Sequence, residues 1–322
     1  MGSRANVAIR QDGLWTHYGS NGMGYSLDAW LALGPGPAVA MFRSGSWPAW
    51  TPEVWQHESW AEAGALIDLD ARELLFFVSA DYARRRALIE ACRRVWPGWV
   101  VRWAYNGISD VTDALGLDRA VVRREPWTND DLFHWVRPGA DDPPRWHYLV
   151  SVGAVTYWPA PYKPWEIGPA LLGQLSELAQ VAELPDVPGG GLHLDPVTRT
   201  AGVWSIDPVD GLAERFFARW PGWTLEFWDD RYQEQEIRCG AFRFVEPAAD
   251  VRRLARRVLD HWLPSTEMFR DQWPAADEGY DRYYGTRDAR LTVADLQRLV
   301  DLLLGPDAAP IDVAAHARKM HG

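Results

Sequence analysis

Apolar and polar positions alternate along several short stretches of the chain, and a period of two residues predicts β-strands. The stretches Val7–Arg10 and Leu14–Tyr18 flank an Asp12-Gly13 pair, which predicts a tight hairpin. Three more pairs of apolar stretches, each separated by a short polar or glycine-containing turn, predict hairpins within residues 66–78, 149–158 and 192–206. The chain is therefore rich in antiparallel strand pairs.

Apolar residues at helical spacing follow the second hairpin. Tyr82, Ile89, Cys92 and Trp96 recur on one side of a helix that begins after Ser79, and Pro97-Gly98 ends it. Three further helices are predicted before residue 221: one begins after Ser26, one lies near 166–183, and one runs from an Asp207 cap, with Pro208 at its first position, to Trp220. Three more are predicted in the C-terminal part. The first spans Asp250 to Trp262, the second spans Thr292 to Leu304 with Asp295 as capping-box partner, and the third follows Asp312.

The tetrapeptide Trp96-Pro97-Gly98-Trp99 recurs as Trp220-Pro221-Gly222-Trp223. Each copy lies between a helical pattern and an apolar strand pattern, and the preceding elements follow in the same order. Internal similarity of this kind indicates a repeated architecture. The pattern predicts an α+β protein of two tandem β-β-α-β-β-α-β units. Each unit has a mixed sheet with helices packed on one face, and a parallel strand follows each tetrapeptide.

The same pattern divides the chain into four segments. Residues 1–123 form the first repeat unit, 124–147 a proline-containing acidic linker, 148–245 the second unit and 246–322 a C-terminal helical extension. We expect the helices of this extension to cover the surface that the second unit leaves exposed.

Composition narrows the classes of partner. Of the 322 residues, 47% are hydrophobic and 24% are charged, which is typical of a globular protein, and the net charge is −11. This acidity disfavours binding to nucleic acid and to anionic membranes. The two cysteines, the absence of a membrane-length apolar run and the absence of a signal-peptide apolar core predict a cytoplasmic protein. The oligomeric state stays open.

The main candidate for a binding site is the segment Gly19-Ser20-Asn21-Gly22-Met23-Gly24, between a predicted strand and a predicted helix. Backbone N–H groups of such a loop can converge on an anion at a helix start. We therefore predict that it binds a small anionic or phosphorylated ligand, with Arg10 as a nearby cation. Its spacing matches neither the P-loop nor the dinucleotide motif, so no cofactor is identified. The alternative is that the glycines serve turn geometry or accommodate a neighbouring backbone.

His17 and Tyr18 precede this loop and are the candidate catalytic residues. A histidine there would supply acid–base chemistry to a bound ligand. The alternative is a histidine at a sheet edge or in the core. Asp68 and Asp70 align with His193 and Asp195 in the second unit, which raises the hypothesis of a metal site, but turn geometry explains these acids and we predict no metal.

Two functions are compatible with these patterns. One is a small-ligand site, whose catalytic activity stays open. The other is a non-catalytic, acidic protein-binding module that uses tryptophan- and tyrosine-rich surface loops, among them residues 264–290, as interface anchors.

Overall fold

The computed structural model describes residues 3–51, 53–58, 60–123, 148–160, 163–175, 179–180, 183–184, 186–240, 243–266 and 291–321. The chain divides into two compact units. Unit 1 comprises Met1–Ser79, Arg84–Arg124 and Ala249–Gly322, and unit 2 comprises Ala80–Ala83 and Glu125–Ala248. The whole predicted linker, residues 124–147, and residues 267–290 of the predicted 264–290 loop lie outside the described residues.

Unit 1 is built on a six-stranded mixed sheet with the order β3-β2-β1-β4-β5-β6. The pairs β1–β2, β2–β3 and β4–β5 are antiparallel, whereas β1–β4 and β5–β6 are parallel. The Asp12-Gly13 hairpin is confirmed, with both residues at positive φ (54° and 74°). The strands are β1 (Arg4–Gln11), β2 (Leu14–Ser20), β3 (Ala49–Trp50), β4 (Ala61–Asp68), β5 (Glu73–Val78) and β6 (Val100–Trp103).

Unit 2 contains a second six-stranded mixed sheet, in the order β13-β12-β11-β7-β8-β9. Two further strands, β10 (Glu183–Leu184) and β14 (Arg243–Phe244), pair in parallel as a separate two-stranded sheet. The strands of the large sheet are β7 (Tyr148–Val152), β8 (Val155–Ala160), β9 (Ala179–Gln180), β11 (Gly190–Asp195), β12 (Thr200–Ser205) and β13 (Thr224–Phe227).

When the six strands of each large sheet are numbered from one in chain order, both sheets have the spatial order 3-2-1-4-5-6. Each sheet also ends on a parallel pair, β5–β6 in unit 1 and β12–β13 in unit 2. The protein is therefore α+β with two mixed sheets. The helices are α1 (Leu27–Leu31), α2 (Pro35–Met41), α3 (Tyr82–Val95), α4 (Ile108–Ala114), α5 (Leu171–Gln174), α6 (Leu212–Arg219), α7 (Gln233–Cys239), α8 (Val251–Trp262), α9 (Val293–Leu304) and α10 (Val313–His321).

The two Trp-Pro-Gly-Trp motifs have the same local structure. The indole N–H of Trp96 donates to the carbonyl of Leu31 (2.7 Å), and that of Trp220 donates to the carbonyl of Trp165 (2.6 Å). In each motif the two indole rings meet edge to face with centroids 4.8 Å apart. The first tryptophan of each motif is fully buried. The motif thus anchors the end of a helix to an earlier segment of its own unit.

The sheet of unit 2 is covered on both faces. Successive residues of β7 point to opposite sides, so Tyr148 packs with Trp165 in one core cluster and Leu149 packs with Trp204 in another. Helices α5 and α6 contribute to the first cluster, as expected for cover on one face. Helix α7 contributes Cys239 to the second cluster, so the pattern predicted only one of the two layers.

The C-terminal helices belong to unit 1, whereas we expected them to cover the second repeat unit. Helix α8 packs on α1 of unit 1, where the Trp262 indole N–H donates to the Ala29 carbonyl (2.9 Å). The rings of Trp30 and Trp262 meet with centroids 5.1 Å apart. The amphipathic pattern predicts that α8 buries one face, but it carries no information about which surface receives that face.

Two predicted helix boundaries in unit 2 are wrong. The helix expected near 166–183 is a short 3₁₀ turn followed by α5, and β9 begins at Ala179. Gly168 interrupts it at a positive φ of 85°. The helix expected from Asp207 begins only at Leu212, after Gly211 at a φ of 66°. The Asp207 carbonyl instead accepts the Ser205 hydroxyl (2.8 Å). By contrast, the predicted Thr292–Asp295 capping box is present.

Candidate functional site

The glycine-rich loop joins β2 to a 3₁₀ turn at Gly24–Ser26, and its backbone N–H groups have partners inside the protein. The Ser20 hydroxyl accepts from the amides of Gly22 (3.2 Å) and Met23 (3.1 Å). The amide of Gly24 donates to the Ser3 carbonyl (3.0 Å), and that of Tyr25 donates to the Ser3 hydroxyl (2.6 Å). These four amides are directed to Ser3 and Ser20, so they do not form the anion cradle that the glycines predicted.

Close neighbours explain two of the glycines. A Cβ atom on Gly19 would lie 2.1 Å from the Trp50 ring, and one on Gly24 would lie 2.7 Å from the Arg4 carbonyl oxygen. Both distances are far inside van der Waals contact. The alternative named above, accommodation of neighbouring groups, accounts for Gly19 and Gly24. The Asn21 carbonyl oxygen accepts from the Gln56 side-chain amide (2.8 Å), which joins the loop to the segment after β3.

The His17 side chain is buried on one face of β2. Its ring stacks on Trp55 with centroids 4.0 Å apart and meets the Trp50 ring edge to face. The Asn6 side-chain oxygen accepts from the Gln56 amide (3.0 Å) and lies 3.1 Å from His17 Nε2, so Nε2 is the protonated nitrogen. Burial lowers the pKa of His17 to about 4, and a backbone hydrogen bond with Thr51 opposes this shift in part.

A neutral histidine with this pKa is a poor match for acid–base work at neutral pH, because catalytic efficiency is greatest when the pKa lies near the working pH. Tyr18 points to the opposite face of β2, where it is buried near Phe42 with ring centroids 6.3 Å apart. The two predicted catalytic side chains therefore lie on opposite faces of the sheet and are both enclosed by protein.

Arg10 does not lie near the glycine-rich loop, which corrects its assignment as an anion partner. It pairs with Trp15 in the β1–β2 register, whereas Asn6 pairs with Gly19. The four residue-to-residue steps from Asn6 to Arg10 along β1 span about 13 Å. The Arg10 guanidinium lies 3.7 Å from the Asp68 carboxylate. Arg10 lies near the turn of the β1–β2 hairpin, whereas the glycine-rich loop follows the opposite end of β2, so the two are far apart although they are close in sequence.

The acidic residues considered for a metal site stabilise turns. Asp68 Oδ1 accepts from the backbone amides of Asp70 (3.0 Å) and Ala71 (2.9 Å). In the same way, Asp195 Oδ1 accepts from the amides of Val197 (2.9 Å) and Thr198 (3.3 Å). Asp68 is thus the counterpart of Asp195, which corrects the predicted alignment by two residues. The Asp70 carboxylate accepts the amides of Asp12 (2.7 Å) and Gly13 (2.8 Å). Within the described residues, no group of three or more His, Cys, Asp or Glu side chains is placed to hold a metal ion.

Unit 2 contains a buried polar chain that the sequence did not reveal. The Trp204 indole donates to Gln235 Oε1 (2.6 Å), Gln235 Nε2 donates to the Ser151 hydroxyl (2.9 Å), and that hydroxyl lies 2.9 Å from His193 Nδ1. The Ser151 oxygen accepts from Gln235, and the tautomer of His193 sets which of the serine hydroxyl and the imidazole donates to the other. Burial foremost, and the charge of Arg238 next, lower the pKa of His193 to about 4, against the opposing effects of Asp195 and Glu226.

The Ser151–His193 distance lies in the range of a nucleophile and its base. However, Ser151 has no exposed surface, and the Gln235 side chain also donates to the carbonyls of Leu149 (3.1 Å) and Leu192 (3.3 Å). Gln235 thereby satisfies backbone groups of two neighbouring strands, which is the role of a structural network. We assign these residues to the core of unit 2.

An open cleft of about 730 Å³ lies in unit 1 beside the end of α9. Its one basic lining residue is Arg94, whose Nη1 donates to the carbonyls of Leu303 (2.5 Å) and Leu304 (2.9 Å). The guanidinium thus satisfies carbonyl groups at the helix C-terminus. The other lining residues are Asp301, Leu302, Leu304, Gly305, Pro306, Ala308 and Pro310.

Large side chains are exposed at the edge of unit 1 that holds the glycine-rich loop. Tyr25 is 54% exposed and Trp60 is 40% exposed. Ser3 and Arg4, at the start of β1, connect them: the Ser3 hydroxyl binds the Tyr25 amide, and the Arg4 guanidinium lies 4.7 Å from the Trp60 ring centroid. We call Arg4, Asn21, Tyr25, Gln56 and Trp60 the Tyr25–Trp60 surface. In the sequence, its only signal is two aromatic residues outside any apolar period.

Among the described residues, no helix has both the length and the apolar composition that a membrane span requires. Comparison of the chain with protein-family models, with curated proteins and with solved structures finds no significant match.

Proposed function

We propose that this protein is a non-catalytic protein-binding module and that its Tyr25–Trp60 surface is the contact site. The observation that carries the proposal is the exposure of two aromatic side chains that are held in place: the Tyr25 amide is hydrogen-bonded, and the Trp60 ring makes a cation–π contact with Arg4. Tryptophan, tyrosine and arginine dominate the binding energy of protein interfaces, and all three occur here at the end of the sheet where β1 and β4 begin.

The surface is organised before any partner binds. The Tyr25 amide is held by Ser3, the Asn21 side chain by Gln56, and the Trp60 ring by Arg4. Ordering of side chains and loops is one of the main free-energy penalties of association, and groups that are already ordered avoid it. Tyrosine and tryptophan also have few rotatable bonds relative to their contact area. Both factors favour recognition of another protein by this surface.

The glycine-rich loop has a structural role in this proposal. It allows Trp50 to pack over Gly19 and lets the backbone pass close to Arg4 at Gly24, and so it brings Tyr25 beside the start of β1. A small anionic ligand is less well supported, because the loop amides bind Ser3 and Ser20 and His17 is neutral at pH 7. The net charge of −11 favours a partner of basic overall charge, since charge complementarity accelerates encounter.

We also place this module in the cytoplasm. Cys92 and Cys239 are both free and buried. Burial raises the pKa of the Cys92 thiol well above its usual range, which keeps it unreactive. Unpaired, inert thiols support a reducing compartment.

Selection from a random peptide display library tests the proposed function. Peptides selected on the wild-type protein are then titrated against Tyr25→Ala, Trp60→Ala and a control, Phe217→Ala, which removes an aromatic side chain of similar exposure (53%) in unit 2. We expect each of the first two variants to weaken binding at least about tenfold, because truncation of an interface anchor costs about 2 kcal/mol or more. The control should bind as the wild type does.

Two results would contradict the proposal. One is a set of selected peptides whose affinity is unchanged in Tyr25→Ala and Trp60→Ala, with circular dichroism showing that both variants are folded. The other is a rise in melting temperature when inorganic phosphate or a nucleotide is added to the wild type, lost in Gly22→Ala. That second result would favour the small-ligand hypothesis.

A further inference from the structure

A buried carboxylate joins three separate segments of unit 1. Asp28, on α1, has no exposed side-chain surface. Its Oδ2 atom accepts from Arg84 of α3, at Nε (3.1 Å) and Nη2 (2.5 Å), and from Nε of Arg257 on α8 (2.8 Å). We call Asp28, Arg84 and Arg257 the Asp28 clasp. Hydrogen bonds to a buried charge are among the stronger ones in proteins, so the clasp fixes α1 relative to both helices.

The same two arginines bind the backbone of Tyr25. Arg84 Nη2 lies 3.4 Å from the Tyr25 carbonyl oxygen, and Arg257 Nη2 donates to that oxygen at shorter range. The Tyr25 amide, on the other side of the residue, is held by Ser3. The backbone of this exposed tyrosine is therefore fixed at its N–H by Ser3, the residue before β1, and at its C=O by arginines of α3 and α8.

Helix α8 is attached to α1 by a second contact close to the clasp. The Trp262 indole donates to the carbonyl of Ala29, the residue after Asp28, and the Trp262 ring packs on that of Trp30. The Arg257 contacts link residues that are more than 220 positions apart in sequence, from the two ends of unit 1. Arg257 thus connects α8 directly to the backbone of Tyr25.

We propose that docking of α8 controls the Tyr25–Trp60 surface, so that the C-terminal part of unit 1 regulates partner binding. This inference rests on the function proposed above. With α8 docked, the clasp holds Tyr25 in its binding position. With α8 released, the Tyr25 carbonyl loses its hydrogen bond with Arg257, so the Gly22–Gly24 backbone just before it is less restrained. Partner binding must then order this segment again, which weakens the affinity. Because coupling is reciprocal, a bound partner stabilises the docked state of α8.

Hydrogen–deuterium exchange of the full-length protein tests the coupling without any partner. In Arg257→Gln, we expect amides of residues 22–28 to exchange at least about tenfold faster than in the wild type. The matched control is Arg256→Gln, the exposed neighbour on the same helix, which should change this exchange by less than twofold. Equal exchange of residues 22–28 in Arg257→Gln and in the wild type overturns the proposal.

A second variant covers the case in which Arg257→Gln fails to fold. Arg257→Lys keeps the charge near Asp28 but loses the guanidinium fork that reaches both Asp28 and the Tyr25 carbonyl. We expect intermediate exchange in residues 22–28. A lysine variant indistinguishable from the wild type in these residues would count against the clasp as the coupling element.

Binding of the selected peptides separates failure of this inference from failure of the proposed function. Peptides that bind more weakly to Arg257→Gln, as they do to Tyr25→Ala, support the inference. Peptides that depend on Tyr25 but bind Arg257→Gln with unchanged affinity overturn the inference and leave the function standing. Peptides that are insensitive to Tyr25→Ala overturn the function, whatever the exchange experiment shows.

Discussion

Gly34 lies against the end of α3, and its replacement tests how the Trp-Pro-Gly-Trp motif of residues 96–99 stabilises unit 1. Gly34 has a φ of 81°, and a Cβ atom there would lie 2.6 Å from the Val95 carbonyl oxygen. The next residue after Val95 is Trp96, whose buried indole donates to Leu31. Gly34→Ala therefore strains the backbone and also forces apart the two segments that this hydrogen bond joins.

The expected loss of stability has two parts. Gly34 has a ψ of 174°, and this combination with a φ of 81° is a conformation that essentially only glycine adopts, so a side chain there costs about 1–3 kcal/mol. Loss of the Trp96 hydrogen bond, which would leave a buried N–H without its acceptor, costs about 1–3 kcal/mol more. The matched control is Gly98→Ala, where φ is 77° but a Cβ atom meets nothing within 4 Å. Gly98→Ala should show only the backbone part.

Urea unfolding monitored by far-UV circular dichroism measures the difference. We expect the free energy of unfolding to fall by about 2–6 kcal/mol in Gly34→Ala and by about 1–2 kcal/mol in Gly98→Ala. Unit 2 offers the same comparison, since a Cβ atom on Gly168 would lie 2.9 Å from the Arg219 carbonyl oxygen, whereas one on Gly222 has no neighbour closer than 3.8 Å. Equal destabilisation by Gly34→Ala and Gly98→Ala would refute the reasoning.

Two other predictions concern the buried polar groups. Burial lowers the pKa values of His17, His193 and His261 from 6.5 to about 4, so the unfolded chain binds protons below about pH 6.5 that the folded protein binds only near pH 4. Stability should therefore fall as pH falls from 6.5 to 4, by up to about 3 kcal/mol per histidine; urea midpoints that do not shift between pH 7 and pH 5 would contradict this. In unit 2, Gln235→Leu should lower the free energy of unfolding by about 1–3 kcal/mol, because the Trp204 indole and the Ser151 hydroxyl each lose a partner. Thermal unfolding of Gln235→Leu and of the exposed control Gln233→Leu measures this, and equal melting temperatures would argue against the network.

Local features of the fold were predictable from the sequence because they depend on neighbouring residues. The Asp12-Gly13 turn needs positive φ at both positions, and Asp-Gly is a favoured pair there. The capping box needs only Thr292 and Asp295, three residues apart. The recurrence of Trp-Pro-Gly-Trp correctly predicted that the strand after each copy pairs in parallel with the strand before the preceding helix, but it left open whether the two units share one sheet.

The candidate site was only partly predictable. The sequence locates the glycines at the end of β2 but does not show that Ser3, 21 and 22 residues earlier, binds the amides of Gly24 and Tyr25. It places His17 beside the loop but does not show that Trp50 and Trp55 enclose its ring. Alternation along β2 does predict opposite directions for His17 and Tyr18, yet it does not tell which face is covered by α1 and α2 and which by the segment after β3.

Periodicity and turn chemistry act over a few residues, so the sequence was sufficient to predict every described strand longer than two residues and every described helix of eight residues or more. Three features follow only from the assembled fold: where α8 docks, which carbonyl each tryptophan N–H reaches, and whether the amides of the glycine-rich loop are free or bonded within the protein. Each of these depends on groups brought together from distant positions, such as Arg257 and Tyr25. Burial and hydrogen-bond partners follow from that assembly, and a local pattern in the sequence does not contain them.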